Sequence, residues 1–155
     1  MTPPLDRFAS KPAFERLCRD FVRSAIGRDP QLTARGDVGE WWGPYTTRNA
    51  EGKLVTEQRQ ADVVVGTSKR VTLVGECKWS DALVDSDALR QLRTAAAAVP
   101  RTDASTRLAL FARDGFTDRV RTVAEQEGIL LFTAADLLSE RPANGNGEEG
   151  LTNRP

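Results

Sequence analysis

Three charged residues raise the question of chemistry. Asp62 is followed, after thirteen residues, by Glu76-Cys77-Lys78, and that triplet ends an otherwise apolar run, "VTLVGECKW" (71–79). Two carboxylates held near a backbone carbonyl such as that of Cys77, and completed by water, form the hard oxygen environment that Mg2+ or Mn2+ prefers. A lysine beside such a cation orients a water, or holds its hydroxide form, for attack on a phosphodiester. The chemistry these residue types permit is metal-assisted hydrolysis. Histidine is absent from the chain, which removes imidazole acid/base catalysis, the Ser-His-Asp arrangement and every zinc site built on imidazole.

The strand that carries the triplet constrains how it is used. Side chains alternate along a strand, so Thr72, Val74, Glu76 and Lys78 are expected on one face, with Val71, Leu73, Gly75, Cys77 and Trp79 on the other. Both faces begin apolar, which predicts a central strand. A charge buried alone there would be costly. Glu76 and Lys78 therefore either satisfy each other as an ion pair at the sheet rim or look into a cleft. Upstream, "QRQADVVVG" and "VTLVGECKW" flank Gly66, Thr67, Ser68 and Lys69, which suits an antiparallel hairpin. Counting back from a turn centred near Thr67 and Ser68 sets Asp62 opposite a position between Leu73 and Gly75, within about 10 Å of Glu76 at about 3.3 Å per residue. If the two acids face the same way they share a cation, and a one-residue slip would reverse that facing.

Other elements must hold this hairpin. "SKPAFERLCRDFVRSAIG" reads as a helix, with Ser10 as cap, Pro12 in the first turn and Gly27 at its end. Phe14, Leu17, Cys18, Phe21, Val22, Ala25 and Ile26 form its buried face, and one acid, Glu15, falls inside that arc. Glu15 is either an edge acid reaching water or an arginine, or an acid of the site. Residues 35 to 66 turn β-like: "GDVGEWWGPY", the turn-rich "TTRNAEGK", then "LVTEQRQADVVVG". After the triplet come a helix in "DSDALRQLRTAAAAV", capped by Asp85 or Ser86 with Ala88, Leu89, Leu92, Ala96 and Val99 inward, a strand in "TRLALFA", a helix at 115–128, a strand "ILLFT" and a last helical turn "AADLL". This order predicts an α/β fold with a mixed central sheet flanked by helices.

At 155 residues the chain fits one domain, expected over 10–140, with a loose N-terminus (1–9) and a disordered Pro/Gly/Asn-rich tail (141–155). The composition, 39% hydrophobic and 28% charged with no long apolar run and no signal-peptide pattern, leads us to expect a cytoplasmic chain with no membrane contact. Two cysteines give no disulfide framework, and Cys77, with no histidine to activate it, reads as a core residue. Lys+Arg and Asp+Glu both total 22, so any nucleic-acid contact must be local. Trp41 and Trp42, adjacent on a strand, point oppositely, and packing is favoured over base stacking. Arg90 and Arg93 read as a solvated helix face rather than as phosphate contacts.

An E-x-K triplet alone has little weight, because chance supplies one in roughly every second chain of this length. Glu51-Gly52-Lys53 is such a case, in a turn with no strand acid upstream. The conjunction is more specific, and it resembles the D…(D/E)-x-K signature of the PD-(D/E)XK nuclease superfamily. "FERLCRDFV", "GEWWG", "ADVVV", "GECKW" and "ALFARDGFTDRV" together resemble the nuclease-like domain at the C-terminus of archaeal-type AAA ATPases, over about Phe14 to Leu138. The resemblance implies a restriction-endonuclease-like fold, Asp62 and Glu76 as ligands of Mg2+ or Mn2+, Lys78 as the catalytic lysine, Glu15 as a further acid and Gln91 as a supporting amide. It implies DNA as substrate; the chain is expected to act either alone or beside a separate AAA ATPase, with a homodimer as a further candidate assembly. Two features depart from the pattern: Ala61 stands before Asp62 where the superfamily's name has proline nearby, and no G-x-x-x-x-G-K-[ST] phosphate loop is present. The rival expectation is a non-catalytic module that keeps this fold to bind DNA or to dock onto an ATPase.

Overall fold

The computed structural model describes residues 11–139; the expected Ser10 cap, the loose segment 1–9, residue 140 and the tail 141–155 lie outside the described residues. The chain runs α1 (Lys11–Ala25), β1 (Asp37–Arg48), β2 (Leu54–Gly66), β3 (Val71–Lys78), α2 (Ser86–Ala98), β4 (Arg107–Ala112), α3 (Asp118–Glu127) and β5 (Leu130–Thr133), with further helix over 134–139. The five strands form one sheet in chain order, antiparallel from β1 to β3 and parallel from β3 to β5. The expected mixed sheet flanked by helices is therefore observed, with β3 at its centre. Among the described residues no helix is long and apolar enough to cross a membrane.

Each face of the sheet carries its own core. The α1 residues Phe14, Cys18, Phe21, Val22 and Ala25 pack on Val63, Val65, Leu73, Cys77, Phe111 and Phe132. On the opposite face Ala88, Leu89, Leu92 and Ala95 of α2, with Val120 and Ala124 of α3, cover Ala61, Val71, Val74 and Leu110. Ala95 is fully part of this inner stripe, and the expected Ala96 is only partly buried. Asp85 is the α2 cap, accepting from the Ser86 N–H at 2.7 Å. Thr117 caps α3, and Gly128 closes it in the left-handed conformation at φ 72°.

The β1–β2 hairpin is longer than expected. Thr46, Thr47 and Arg48 belong to β1, and the Thr46 and Thr56 hydroxyls meet across the strands at 2.7 Å. The turn proper is Asn49–Lys53, where the Asn49 side chain accepts from the N–H groups of Glu51 and Lys53. The second E-x-K triplet is thus turn surface.

Two bulges correct the expected register. The β2–β3 turn is closed by Thr67 N–H to the Arg70 carbonyl, one residue later than counted, and Thr72 is an extra residue between the pairs Gly66↔Val71 and Val65↔Leu73. Together these shift the pairing until it ends at Val63↔Gly75, one step before Asp62 and Glu76. Val71 consequently lies on the α2 face with Val74 and not, as expected, with Leu73 and Cys77. In β2, one β1 residue, Glu40, stands against two, Asp62 and Val63, between the pairs Gly39↔Val64 and Trp41↔Ala61. That bulge is why Ala61 packs under α2 while Val63 packs under α1.

Candidate active site

β2 and β3 part after Val63↔Gly75. Glu76, Cys77 and Lys78 remain paired with Leu110, Phe111 and Ala112 of β4, while the earlier part of β2 follows β1. This fork leaves strand donors unpaired on its inner sides. Asp62 answers one of them: its Oδ2 accepts from the Cys77 N–H at 2.9 Å. Its Oδ1 accepts from Gln60 Nε2 at 3.1 Å. Arg19 Nη1 of α1 donates to the Asp62 carbonyl at 3.0 Å and lies 3.8 Å from Glu40, so one guanidinium spans the bulge that aims Asp62.

The acids gathered here are unusually buried. Asp62 is 3% and Glu76 8% exposed. Burial, then the charge of Asp62, push the Glu76 carboxyl up to about 8, against the pull of Lys78, the Asp62 N–H and Lys11. Asp62 is itself raised, by burial, although the Cys77 N–H, Lys11, Lys78 and Arg19 oppose this. Glu15 is raised by burial and by Asp62, against Lys11 and Arg19. Lys11, four residues before Glu15 and 3.5 Å from it, is lowered by burial but raised more by Asp62, Glu15 and Glu76, so its net shift is upward.

Glu76 Oε2 is buried with no hydrogen-bond partner. A buried acceptor without a donor is destabilising unless a proton or a cation satisfies it. The oxygen chemistry of Asp62 and Glu76 fits a hard divalent cation, for which Oε2 is a ready ligand atom. Among the described residues no group of three or more Cys, Asp or Glu is arranged to hold a metal. The donor set is thus a pair of carboxylates, with Glu15 tied to Lys11 beside it.

Lys78 Nζ donates to Gln91 Oε1 on α2, so that helix positions the lysine. Glu76, Lys78 and Gln91 line a cleft of about 480 Å³ that also receives Lys11, Arg59, Arg90, Gln58 and Gln60. Asp62 is not part of this lining and reaches it through its contact with Gln60. Cys77 is 0% exposed, its thiol raised well above the usual range by burial and by the neighbouring Cys18, which suits a core residue. Arg93 turns away to Glu127 at 2.7 Å, as a solvated face would, whereas Arg90 pairs with Asp87 and reaches the cleft.

The structure thus brings Asp62, Glu76, Lys78, Gln91 and Glu15 to one end of the sheet. Lys11, Arg19 and Gln60 join them and were missed. A signal existed for two: Lys11 and Arg19 stand four residues before and four after Glu15, on the acid's own helical line. Nothing in the sequence marks Gln60.

Among solved structures, protein VC1899 from Vibrio cholerae resembles this fold with a TM-score of 0.57 at 20% identity, over 84% of this chain and 32% of its own. The chain therefore spans about a third of that protein. A protein of unknown function, AF1548, matches with a TM-score of 0.44 at 19% identity, over 64% of this chain and 59% of its own. No curated protein matches the chain. A family model described as archaea bacterial proteins of unknown function, DUF234, matches residues 1–92, a span that holds every site residue named above. Because that match covers more than half of the 155 residues, the chain belongs to the DUF234 family.

Proposed function

We propose that this chain is a metal-dependent DNA nuclease domain of the PD-(D/E)XK type, with a restriction-endonuclease-like fold. The observation that carries the reading is the fork. Two buried carboxylates, Asp62 and Glu76, meet where two strands separate, one of their oxygens lacks a donor, and a lysine stands two residues on, facing an open cleft. A structural ion pair would not need the cleft, the orphan oxygen or the bulge.

Asp62, Glu76 and the Cys77 carbonyl would hold Mg2+ or Mn2+, which when bound supplies Lewis-acid polarisation of a phosphoryl oxygen. The rest is the work of this chain's residues. Lys78, steadied by Gln91, orients the attacking water. As the water oxygen bonds to phosphorus its proton passes to solvent, the ester P–O bond breaks, and the departing oxygen takes a proton from solvent. Glu15, paired with the cleft-lining Lys11, supports the site as a further acid beside the carboxylates. A cytoplasmic setting, a separate AAA ATPase and pairing with a second copy belong to the same proposal.

One observation favours the rival, a non-catalytic module that binds DNA or docks onto an ATPase: the net charge is zero. Incubation with labelled single-stranded, duplex and branched DNA in Mg2+ or Mn2+ separates the two. The nuclease reading predicts cleavage by wild type that falls by about 100-fold or more in Glu76→Ala and in Lys78→Ala. Folded wild type that cuts none of these DNAs would transfer the site to the binding module.

A further inference from the structure

Beyond the fork, the β1–β2 arm has two unlike faces. On one, Trp41 lies across Gly43, where an added Cβ would meet the indole at 2.3 Å, and packs against the core beneath α2. On the other, Trp42, Pro44 and Thr46 and their cross-strand partners Gln60, Gln58 and Thr56 are all exposed. Trp42 is 65% exposed, so the core does not require it. Its partner Gln60 both lines the cleft and donates to Asp62. An exposed indole therefore stands one cross-strand step from the candidate active site.

The cleft itself has a charge preference. Lys11, Arg59, Lys78 and Arg90 line it against a single acid, Glu76. Glu15, Glu57 and Asp87, which pair with three of these cations, are not part of the lining. The Arg59–Glu57 and Arg90–Asp87 pairs are exposed, and such pairs are weak and exchange readily for a phosphate, while Lys11, more than half exposed beside the buried Glu15, has further donors to offer. A few cations suit a few phosphates, whereas duplex binding draws on many contacts and a wider positive field that a net charge of zero does not supply. An aromatic ring beside a short cationic track is the design of sites for unpaired strands, because every base offers a face for stacking.

We propose that the cleft takes an unpaired DNA strand that passes round the β2 edge left open by the fork, with phosphates on Lys11, Arg59 and Arg90 and one base stacked on Trp42 on the face Trp42 shares with Gln60. The inference rests on the site assigned above but concerns binding, so it stands or falls separately from cleavage. The test is fluorescence anisotropy of a labelled oligothymidylate and a labelled hairpin duplex with the full chain in EDTA. Wild type should prefer the oligothymidylate. Trp42→Ala and Trp42→Leu should each weaken it about tenfold or more, and Trp42→Phe, which keeps a ring face, should stay within about threefold. Thermal melts of the three variants should match wild type because the ring is exposed. Preference for the duplex, or equal binding by Trp42→Leu and wild type, would overturn the proposal. Metal-dependent cleavage that ignores Trp42 would leave the nuclease reading and remove this one. Binding that depends on Trp42, with no cleavage by wild type, would do the reverse.

Discussion

The two ends of the β2–β3 hairpin are built from the same strands and behave as opposites. At the turn end, Val63, Val65, Leu73 and Val74 are paired and wholly buried, and Gly75 lets Phe111 lie close against β2. At the fork end, Asp62 of β2 and Glu76 of β3 are no longer paired across the hairpin, and the apolar residues give way to two acids and Lys78. The closed end earns stability from packing. The open end spends some of it to hold two carboxylates out of water, one oxygen of which is unsatisfied. A hairpin selected for stability alone would continue its ladder and replace the acids, so the contrast is what makes the open end the candidate site.

Breaking the closed end should give the largest change in stability. Phe111→Ala removes a fully buried ring that stacks on Phe132 at 5.3 Å, and should cost about 3–5 kcal/mol in urea unfolding. Gly75→Ala tests the close approach, since an added Cβ would meet Phe111 Cε1 at 3.0 Å and Val63 Cβ at 3.3 Å. Overpacking there should cost about 1–3 kcal/mol by the same measurement.

The open end should respond in the other direction. Because the folded Glu76 carboxyl is pushed up to about 8, the folded state keeps a proton that the unfolded chain has already lost, from the ordinary glutamate range up to that pH. Stability in chelator should therefore fall as pH rises through this window, with the raised Asp62 and Glu15 acting in the same sense. Glu76→Gln should flatten this dependence and stabilise the protein near the top of the window by an amount on the order of 1–3 kcal/mol. Thermal melts across the window would check both sign and slope. Outside either end, Arg93→Ala should cost only about 0–1 kcal/mol, because its ion pair with Glu127 is half exposed.

How much of this was legible depended on what kind of signal each feature leaves. The helices and the inner strands were readable because an apolar face repeats along them. The ends of β1 and β2 were not: Thr46, Thr47 and Arg48 sit in a polar two-stranded arm, where pairing continues without a buried face to announce it. The site acids and Lys78 stood out as charges in or beside apolar runs. Their mutual placement did not, since it depends on the extra residue Thr72 and on Glu40 facing both Asp62 and Val63. Bulges are decided by the packing on both faces of a sheet, and a pattern of alternation does not record them. Lys11 was not singled out, and only the fold shows it among three carboxylates.

The most direct test of the functional contrast is thermal unfolding of wild type and Glu76→Gln near pH 8, in chelator and then with Mg2+ or Mn2+ added. If the open end of the fork is a cation site, the melting temperature of wild type should rise with added cation, by mass action, and that of Glu76→Gln should rise far less. An equal rise in both proteins, or no rise in wild type, would contradict it.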